Sequence, residues 1–389
     1  MEKAYLHVKN ELRFVIGHWQ WDEVLTLDKL RLNYIIEKKT QWIREFIKGR
    51  PYLWLAMKTI KHGNEDEYRK MVSYLLQNGQ PNAFELQEYG EMNCDRNLML
   101  LLIHGRTGMG PLLRRVVHGA YLAEELGCIP VVEFVKDTTL YQEKEEYLGT
   151  SNVFDYYFEQ PGGISLKEAY QSKHVFICHD YNFAMGADKL CKQKGPFNEN
   201  YTIDEDYIEK AGKVAGRNLR LNESAQHIIS TSRSRIWPHG EARILGVHIR
   251  GTDFRLHWEH HPNALSPEDF FQTIDEALEH GFTHIFLATD DSGYVRQFQD
   301  KYGQKLIYYH DVHREEGTQN IAFVQTHREH DHYLNGLEVI RDIYTLAACD
   351  GLVAGLSHVS ITARLVKAGN GKGYEYQQIL NKGLYHSAK

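Results

Sequence analysis

The strongest candidate for chemistry is a short run in which a histidine, an arginine and an aspartate crowd the end of an apolar strand. The run is His248-Ile-Arg250-Gly-Thr-Asp253, and it follows the apolar segment that begins at Arg243. Ligands of doubly wound sheets bind beyond the carboxyl ends of the strands. A guanidinium there can grip a diphosphate through a bidentate fork. The alternatives are a surface Arg–Asp pair and a core histidine at His248, but the crowding favours a site at Arg250. In that site Asp253 holds the arginine or accepts a proton.

A glycine-bearing loop precedes the first helix after the first apolar strand, and it contains Gly108 and Gly110. Glycine lets a backbone approach a ligand closely, and a helix N-terminus favours an anion. Pro111 and Leu112 stand where a P-loop needs Lys and Ser or Thr, and Leu113 stands where the dinucleotide fingerprint needs a glycine. The loop is therefore either a phosphate contact or a plain tight turn.

Polar residues also follow two later strands. Asp290 and Asp291 follow one of them, and their carboxylates can accept hydrogen bonds from a guanine or a ribose. Ser357, His358 and Ser360 stand where a helix begins, and hydroxyls with backbone N–H groups suit a phosphate there. Both sets have a structural alternative as helix N-caps, for which Asp291 is a good candidate.

Histidines are frequent, with 22 in the chain, and some of them gather beside aspartates. Metal ligation needs ligands that converge in space, which spacing alone does not provide. We therefore predict no metal site at the two clusters, which comprise His310, Asp311 and His313, and His327, His330, Asp331 and His332.

Buried strands alternate with helices along most of the chain, which is typical of an α/β fold with parallel sheets. The alternation runs twice, so we predict two Rossmann-like domains that face a cleft. Residues 96–236 form the first of them, and residues 237–389 form the second. Residues 1–95 show helical spacing of apolar side chains and predict a helical N-terminal region that caps the fold or contacts an acceptor.

Individual elements are predicted as well. A polar helical stretch covers about 204–236, and a strand covers 305–309. Another helix takes Ser266 as N-cap and Pro267 as its first residue.

Composition excludes several classes of protein. The net charge of −7 argues against a general nucleic-acid binder, which needs a basic surface. The five cysteines form no CxxC pair and are interpreted as reduced residues of a cytoplasmic protein. The first residues lack the pattern of a signal peptide, and no apolar run is long enough to predict a membrane span.

Four blocks together resemble the superfamily of α1,6-fucosyltransferases and protein O-fucosyltransferases, above all core α1,6-fucosyltransferases and bacterial nodulation-factor fucosyltransferases. The run at His248 is similar to the signature H-x-R-R-x-D of that superfamily. The other similar blocks are Gly108-Met-Gly110 with Leu113-Arg-Arg-Val-Val, Leu287-Ala-Thr-Asp290-Asp291, and the stretch from Gly336 through Asp342 to Asp350-Gly-Leu-Val and Ser357. The resemblance covers about residues 100–366.

The resemblance implies a GT-B-like fold and an inverting transfer of L-fucose from GDP-fucose to a hydroxyl of an oligosaccharide, polysaccharide or lipid-linked glycan, without a metal or other cofactor. Arg250 would hold the β-phosphate of the leaving group. His248 and Asp253 would shape its loop. The remaining donor-binding residues would be Gly108, Gly110, Asp290, Asp291, Asp342, Ser357, His358 and Ser360.

The sequence departs from that pattern at four places. Gly251 replaces the second arginine of the signature, Phe254 replaces the lysine of core enzymes, and His358 replaces a serine. The acid expected a few residues later is best matched by Glu259, our candidate base beside Asp253, with His257 as a rival. Two alternatives therefore stay open: a glycosyltransferase of the same fold that uses another nucleotide sugar, and a non-catalytic protein that binds nucleotides or sugars.

Overall fold

The computed structural model describes residues 84–179, 190, 204–257, 261–319, 321–324, 326 and 328–386. Most of the predicted N-terminal helical region lies outside these residues, and so do Glu259 and His327.

The first sheet has four strands in the order β1-β4-β2-β3. Strand β1 runs antiparallel to β4, with Phe84 opposite Cys178 and Gln87 opposite Val175. Strands β2 and β3 are apolar runs that are almost entirely buried, as expected for strands covered on both faces. The strands are β1 (Phe84–Gln87), β2 (Leu98–Ile103), β3 (Ile129–Phe134) and β4 (Val175–His179).

The second sheet has five strands in the order β7-β6-β5-β8-β9, and all its pairs are parallel. Its central strand, β5, is buried at every residue. The strands are β5 (Ile244–Ile249), β6 (His284–Thr289), β7 (Leu306–Ile307), β8 (Gly351–Gly355) and β9 (Tyr376–Leu380). Parallel strands end at one edge of a sheet, so the residues after β5, β6, β8 and β9 share that edge.

Helices connect these strands and bury the apolar side chains of the sheets. The helices are α1 (Met109–Glu125), α2 (Leu166–Ala169), α3 (Glu205–Asn218), α4 (Glu223–Ile236), α5 (Glu268–Glu279), α6 (Ser292–Tyr302), α7 (Asp331–Ala348) and α8 (His358–Gly369). Short 3-10 turns include the one at Thr252–Leu256, directly after β5.

The second sheet is covered on both faces. Leu245, Val247 and Ile249 of β5 share a core cluster with residues of α5 and α6. Gly246 lies on the opposite face because side chains alternate along a strand. A Cβ at Gly246 would lie 3.1 Å from the Leu346 side chain, so α7 packs closely against that face. The prediction of an α/β fold with a parallel sheet is confirmed.

Several predicted elements differ in extent. The stretch over 204–236 is two helices, because Asn222 caps a new helix after the first one ends at Asn218. Helix α5 begins at Glu268, one residue later than predicted. The strand predicted over 305–309 comprises only β7. Residues 84–87, which the sequence analysis assigns to the helical region, form β1. Strand β9 is not predicted either, because both strands lack a long apolar run.

By its internal contacts the chain divides into two compact units. The described part of one comprises residues 84–99, 123–129 and 170–179, and the other comprises 100–122, 130–169 and the described residues from 190 onward. The predicted boundaries at 96 and 237 stay a prediction. Every described candidate site residue lies in the second unit.

Candidate functional site

Arg250 leaves the carboxyl end of β5 and is held by two carboxylates. Its Nη2 and Nε lie 2.7 and 3.0 Å from Oδ1 of Asp253, and its Nη1 lies 2.9 Å from Oδ2 of Asp290. Burial opposes the charge, but Asp290 and Asp253 outweigh it and raise the pKa of Arg250. The guanidinium therefore stays charged and has a defined orientation. The structure thus places Asp253 in contact with Arg250, and a role of either residue in a site stays a prediction.

Asp290 joins the ends of two neighbouring strands. Besides Arg250, it accepts the backbone N–H of Gly251 at 2.8 Å and the hydroxyl of Thr252 at 2.5 Å. Its position at the end of β6, next to β5 in the sheet, makes these contacts possible. Asp290 thus fixes the loop that carries Arg250.

Arg250 faces a cavity of about 70 Å³, which holds a handful of water molecules. A larger ligand must use the open side of the cavity or displace side chains. Its lining combines the ends of β5 and β6 with one face of α7, and consists of Tyr141, His248, Arg250, Thr289, Asp290, Val312, His313, Ile321, Asn335, Glu338, Val339, Asp342 and Val359.

His248 is a buried histidine that faces this cavity. Burial, together with the charge of Arg250, lowers the pKa of His248 to about 4, although Asp290 opposes the shift. The ring is therefore neutral at pH 7, and its Nδ1 lies 3.3 Å from the Ser357 hydroxyl. A neutral imidazole can exchange hydrogen bonds with a ligand but adds no positive charge.

Asp342 has an acceptor atom without a hydrogen-bond partner. Its Oδ1 is buried, and no described residue donates to it. Burial raises the pKa of Asp342 to about 7, although Arg314 and Arg341 act in the opposite direction. A buried acceptor in this condition is costly unless a ligand satisfies it.

The two arginines near Asp342 are engaged elsewhere. Arg314 donates to the carbonyl oxygens of Thr289 and Tyr309 at 3.0 and 2.9 Å. Arg341 makes a bidentate pair with Asp311 at 2.7 and 2.9 Å. They contribute positive potential without filling the acceptor atom of Asp342.

Sequence reasoning missed the polar residues beside Asp342. Glu338 accepts a hydrogen bond from Arg328, and burial raises the pKa of Glu338 even though Arg328 opposes the shift. Asn335 accepts from Arg328 at 2.8 Å. Asn335, Glu338 and Asp342 stand three and four residues apart, which places them on one face of α7. That spacing was the signal that could have revealed them.

Three predicted donor residues have capping roles. Asp291 accepts the N–H of Tyr294 at 3.0 Å as N-cap of α6. Its other carboxylate oxygen binds Arg255 at 2.5 Å. Ser357 and Ser360 form a reciprocal capping box at the start of α8. The structure shows their helix-capping contacts, and donor binding by these residues stays a prediction.

The glycine loop and the start of α8 lie against each other. A Cβ at Gly110 would lie 3.0 Å from the carbonyl carbon of His358, so this close approach favours glycine. His358 contacts Arg114 through its Nδ1 at 2.9 Å, and burial together with Arg114 lowers the pKa of His358 to about 3. Gly108 begins the same turn, one residue before α1.

Tyr141 connects this loop to the cavity. It lines the cavity together with Arg250, and its hydroxyl is hydrogen-bonded to the backbone of Met109. Burial raises the pKa of Tyr141 to about 12. The structure therefore brings the glycine loop, the arginine loop and the start of α8 to one region.

Within the part of the chain that the structure describes, no three histidine, cysteine, aspartate or glutamate residues converge as metal ligands. His313 instead contacts Glu315 at 2.7 Å, and His332 contacts the carbonyl oxygen of Leu140 at 2.8 Å. Cys94, Cys128, Cys178 and Cys349 form no disulfide bond with one another, and Cys191 lies outside the described residues. None of the described helices is both long and apolar enough to cross a membrane.

No family model matches the chain, and no curated protein matches it. Among solved structures, the fucosyltransferase NodZ from Bradyrhizobium is similar, with 17% identity and a TM-score of 0.43 over 69% of this chain and 94% of that one. POFUT1 in complex with GDP-fucose has 11% identity and a TM-score of 0.40 over 75% of this chain and 99% of its own. FUT1 of Arabidopsis thaliana in complex with GDP has 11% identity and a TM-score of 0.38 over 81% and 75%. Similarity at this level leaves the function to be inferred from the site itself.

Proposed function

We propose that this protein is a glycosyltransferase that transfers L-fucose from GDP-fucose to a hydroxyl of a glycan acceptor, with inversion and without a metal ion. The observation that carries the proposal is the position of Arg250. It leaves the carboxyl end of a parallel strand, it is oriented by two carboxylates, and it faces a cavity. Diphosphates bind at this edge of α/β sheets.

Arg250 is suited to the leaving group. A guanidinium has five N–H donors on three nitrogens. One donor of each nitrogen already contacts Asp253 or Asp290. The remaining donors can contact phosphate oxygens, where charge grows as the bond to the sugar breaks. Donors that are oriented in advance stabilise such charge without reorganisation.

The part of the cavity lined by α7 is suited to a guanine. The edge of guanine presents N–H donors, and the unfilled Oδ1 of Asp342 is an acceptor. Glu338 lies one turn away on the same face of α7 and lines the same cavity. Acceptors at this position favour a base that donates from adjacent positions, and so they favour GDP over UDP.

The base that activates the acceptor hydroxyl is proposed to be Glu259 or Asp253. Oδ1 of Asp253 accepts hydrogen bonds from two nitrogens of Arg250, which favours a positioning role for Asp253. His257, the rival candidate, adopts a left-handed conformation at φ 51° and stacks on Tyr385 at 5.1 Å. Glu259 therefore remains the first residue to test as the base.

The wider setting belongs to the same proposal. We infer two Rossmann-like domains that face a cleft, with the donor bound by the C-terminal one. The acceptor is an oligosaccharide, polysaccharide or lipid-linked glycan, and the protein acts in the cytoplasm.

The decisive test replaces Arg250. Arg250→Ala is expected to retain the fold and to lower kcat/KM for GDP-fucose by at least about 10²- to 10³-fold, because it removes the group that stabilises the leaving diphosphate. Arg250→Lys keeps the charge but loses the fork and recovers only part of the activity. Product mass is measured with a panel of nucleotide sugars and glycan acceptors.

Arg296→Ala is the matched control, because Arg296 is an exposed arginine of α6 that pairs with Glu316 on the surface. It should retain wild-type turnover. Near-normal turnover by Arg250→Ala rejects the assigned role. Transfer from another nucleotide sugar alone identifies a different donor, and tight GDP binding without any transfer identifies a non-catalytic binding protein. Loss of activity in chelator contradicts the metal-independent mechanism.

A further inference from the structure

The charges around Arg250 do not favour an anion by themselves. One guanidinium lies between the carboxylates of Asp253 and Asp290, and His248 is neutral. A nucleoside diphosphate sugar carries a negative charge on each phosphate, and its leaving group gains another. A further cation close to Arg250 would therefore strengthen the attraction for a diphosphate.

The register of the second sheet shows which chain segments reach this position. His248 of β5 is aligned with Ala354 of β8, and Gly355 of β8 is aligned with Leu380 of β9. The residues that follow these strands therefore leave the sheet side by side. Two strand spacings separate β5 from β9, roughly 10 Å, which long side chains can bridge from both sides.

Lys382 follows β9 and shares a pocket with Arg250. This second pocket lies beside the cavity described above, since Arg250 contributes to both. It is lined by ten residues, among them Phe254, Asn263 and Leu380. Among these residues Arg250 and Lys382 are the only two that carry a positive charge at neutral pH.

The segment that carries Lys382 is held in place by its backbone. Asn263 donates its backbone N–H to Gly383 at 2.9 Å and its side-chain amide to the carbonyl oxygen of Lys382 at 3.0 Å. Tyr385 donates to the carbonyl oxygen of His261 at 2.8 Å. The Cα of Lys382 is thus anchored next to the pocket while its side chain can turn.

The present partner of Lys382 holds it weakly. Its ammonium group lies 2.6 Å from Oδ2 of Asp269, and the two side chains are 51% and 25% exposed. Ion pairs this exposed contribute little free energy, so a stronger anion can replace the carboxylate at small cost. Asp269 keeps its hydrogen bond from the backbone N–H of Ser266 at 2.8 Å when the lysine leaves.

We propose that Lys382 is a second diphosphate-binding residue, which exchanges Asp269 for a phosphate oxygen of the donor when the donor binds beside Arg250. This inference rests on the proposed function and adds a residue to it. Lys382 supplies the positive charge that Asp253 and Asp290 offset at Arg250.

The test is calorimetry with GDP, GMP and guanosine on the full-length protein. Lys382→Met keeps the apolar stem and removes the charge, so the Kd for GDP is expected to rise about tenfold. The Kd for guanosine should stay within about twofold of wild type, because guanosine has no phosphate. The increase of the Kd for GMP should lie between those for guanosine and GDP. Lys382→Arg should restore GDP binding to within about threefold of wild type.

Lys301→Met is the control, since Lys301 forms a comparable surface pair with Asp275 at 2.9 Å and lines neither pocket. Its GDP affinity should equal that of wild type. An equal loss of guanosine and GDP binding in Lys382→Met would mean a structural role and overturn the inference. An unchanged GDP affinity in that variant would also overturn it and leave the proposed function intact. A wild-type protein that binds none of the three ligands instead contradicts the proposed function itself.

Discussion

Gly251 is a glycine because its neighbours leave no space for a side chain. It replaces an arginine of the signature that the sequence resembles. A Cβ at this position would lie 2.6 Å from the Cβ of Asp291, so the loop has no room for a side chain. Asp291 is itself held by its capping role and by Arg255. The side chain of Asp291, just after β6, therefore occupies the space that a side chain at position 251 would need.

Asp342 predicts a dependence of stability on pH. Burial raises the pKa of Asp342 from 3.8 to about 7, so the folded state binds its proton more tightly than the unfolded state. Stability contributed by this group is therefore lost as the pH rises from about 4 to 7, by about 4 kcal/mol at most. Asp342→Asn removes the titration. The increase of its Tm over wild type, measured by calorimetry without ligand, is expected to be several degrees larger at pH 8 than at pH 5.

Asp311→Asn is the control for Asp342→Asn, because the pKa of Asp311 is lowered and not raised. Asp311 pairs with Arg341, which lowers the pKa of Asp311 against the opposing effect of burial. The variant should lower the Tm at both pH values, because the carboxylate is ionised at each. An Asp342→Asn variant whose Tm difference is the same at pH 5 and pH 8 contradicts the assignment.

At the scale of elements, helices α3 and α8 pack at unusually close range. Gly212 and Gly216 of α3 lie against Gly369 and its neighbours in α8. Because α8 begins at Ser357 and His358, its packing against α3 also places the predicted phosphate-binding end of the helix.

Gly216→Ala tests this packing. Its Cβ would overlap the carbonyl oxygen of Gly369, and backbone atoms cannot turn aside as a flexible side chain can. We expect a loss of about 2–3 kcal/mol of unfolding free energy, measured by urea denaturation. Gly373→Ala meets nothing within 4 Å and should change the free energy of unfolding by less than about 0.5 kcal/mol. Equal stabilities of the two variants contradict the close contact.

The common edge of β5, β6, β8 and β9 explains why residues far apart in sequence lie near one another. Arg250, Asp290, Ser357 and Lys382 each follow one of these strands. A parallel sheet aligns such positions without any pairing between the loops themselves.

For the whole molecule, binding of GDP should raise the thermal stability. A ligand that binds only the folded state adds about 2.7 kcal/mol at a concentration of 100 times its Kd. The Tm measured by calorimetry should therefore rise with GDP concentration, and UDP should have a smaller effect at the same concentration. A chelator should leave both shifts unchanged under the proposed metal-independent mechanism. A larger increase of the Tm with UDP than with GDP contradicts the assignment of guanine as the nucleobase of the donor.

The local pattern of residues predicted the α/β fold and the position of Arg250. Continuous apolar runs identify buried parallel strands, and polar residues directly after such a run must lie at the carboxyl edge. The same reasoning indicated the capping alternatives for Asp291 and Ser357, because a cap depends only on residues within one turn. Where the apolar signal was short, the strand at β7 was predicted too long, and β1 and β9 were missed.

The tertiary structure decided what those residues contact. Arg250 pairs with Asp290 and shares a pocket with Lys382, and both residues are dozens of positions away from it in the sequence. The absence of a described donor to Oδ1 of Asp342 likewise follows from the packing around it. Such contacts depend on the order and register of strands, which local spacing leaves open because many strand orders bury the same apolar surface. The sequence alone therefore determined that Arg250 follows a buried strand, because that depends on a local pattern, and the packing of the sheet determined which residues it meets.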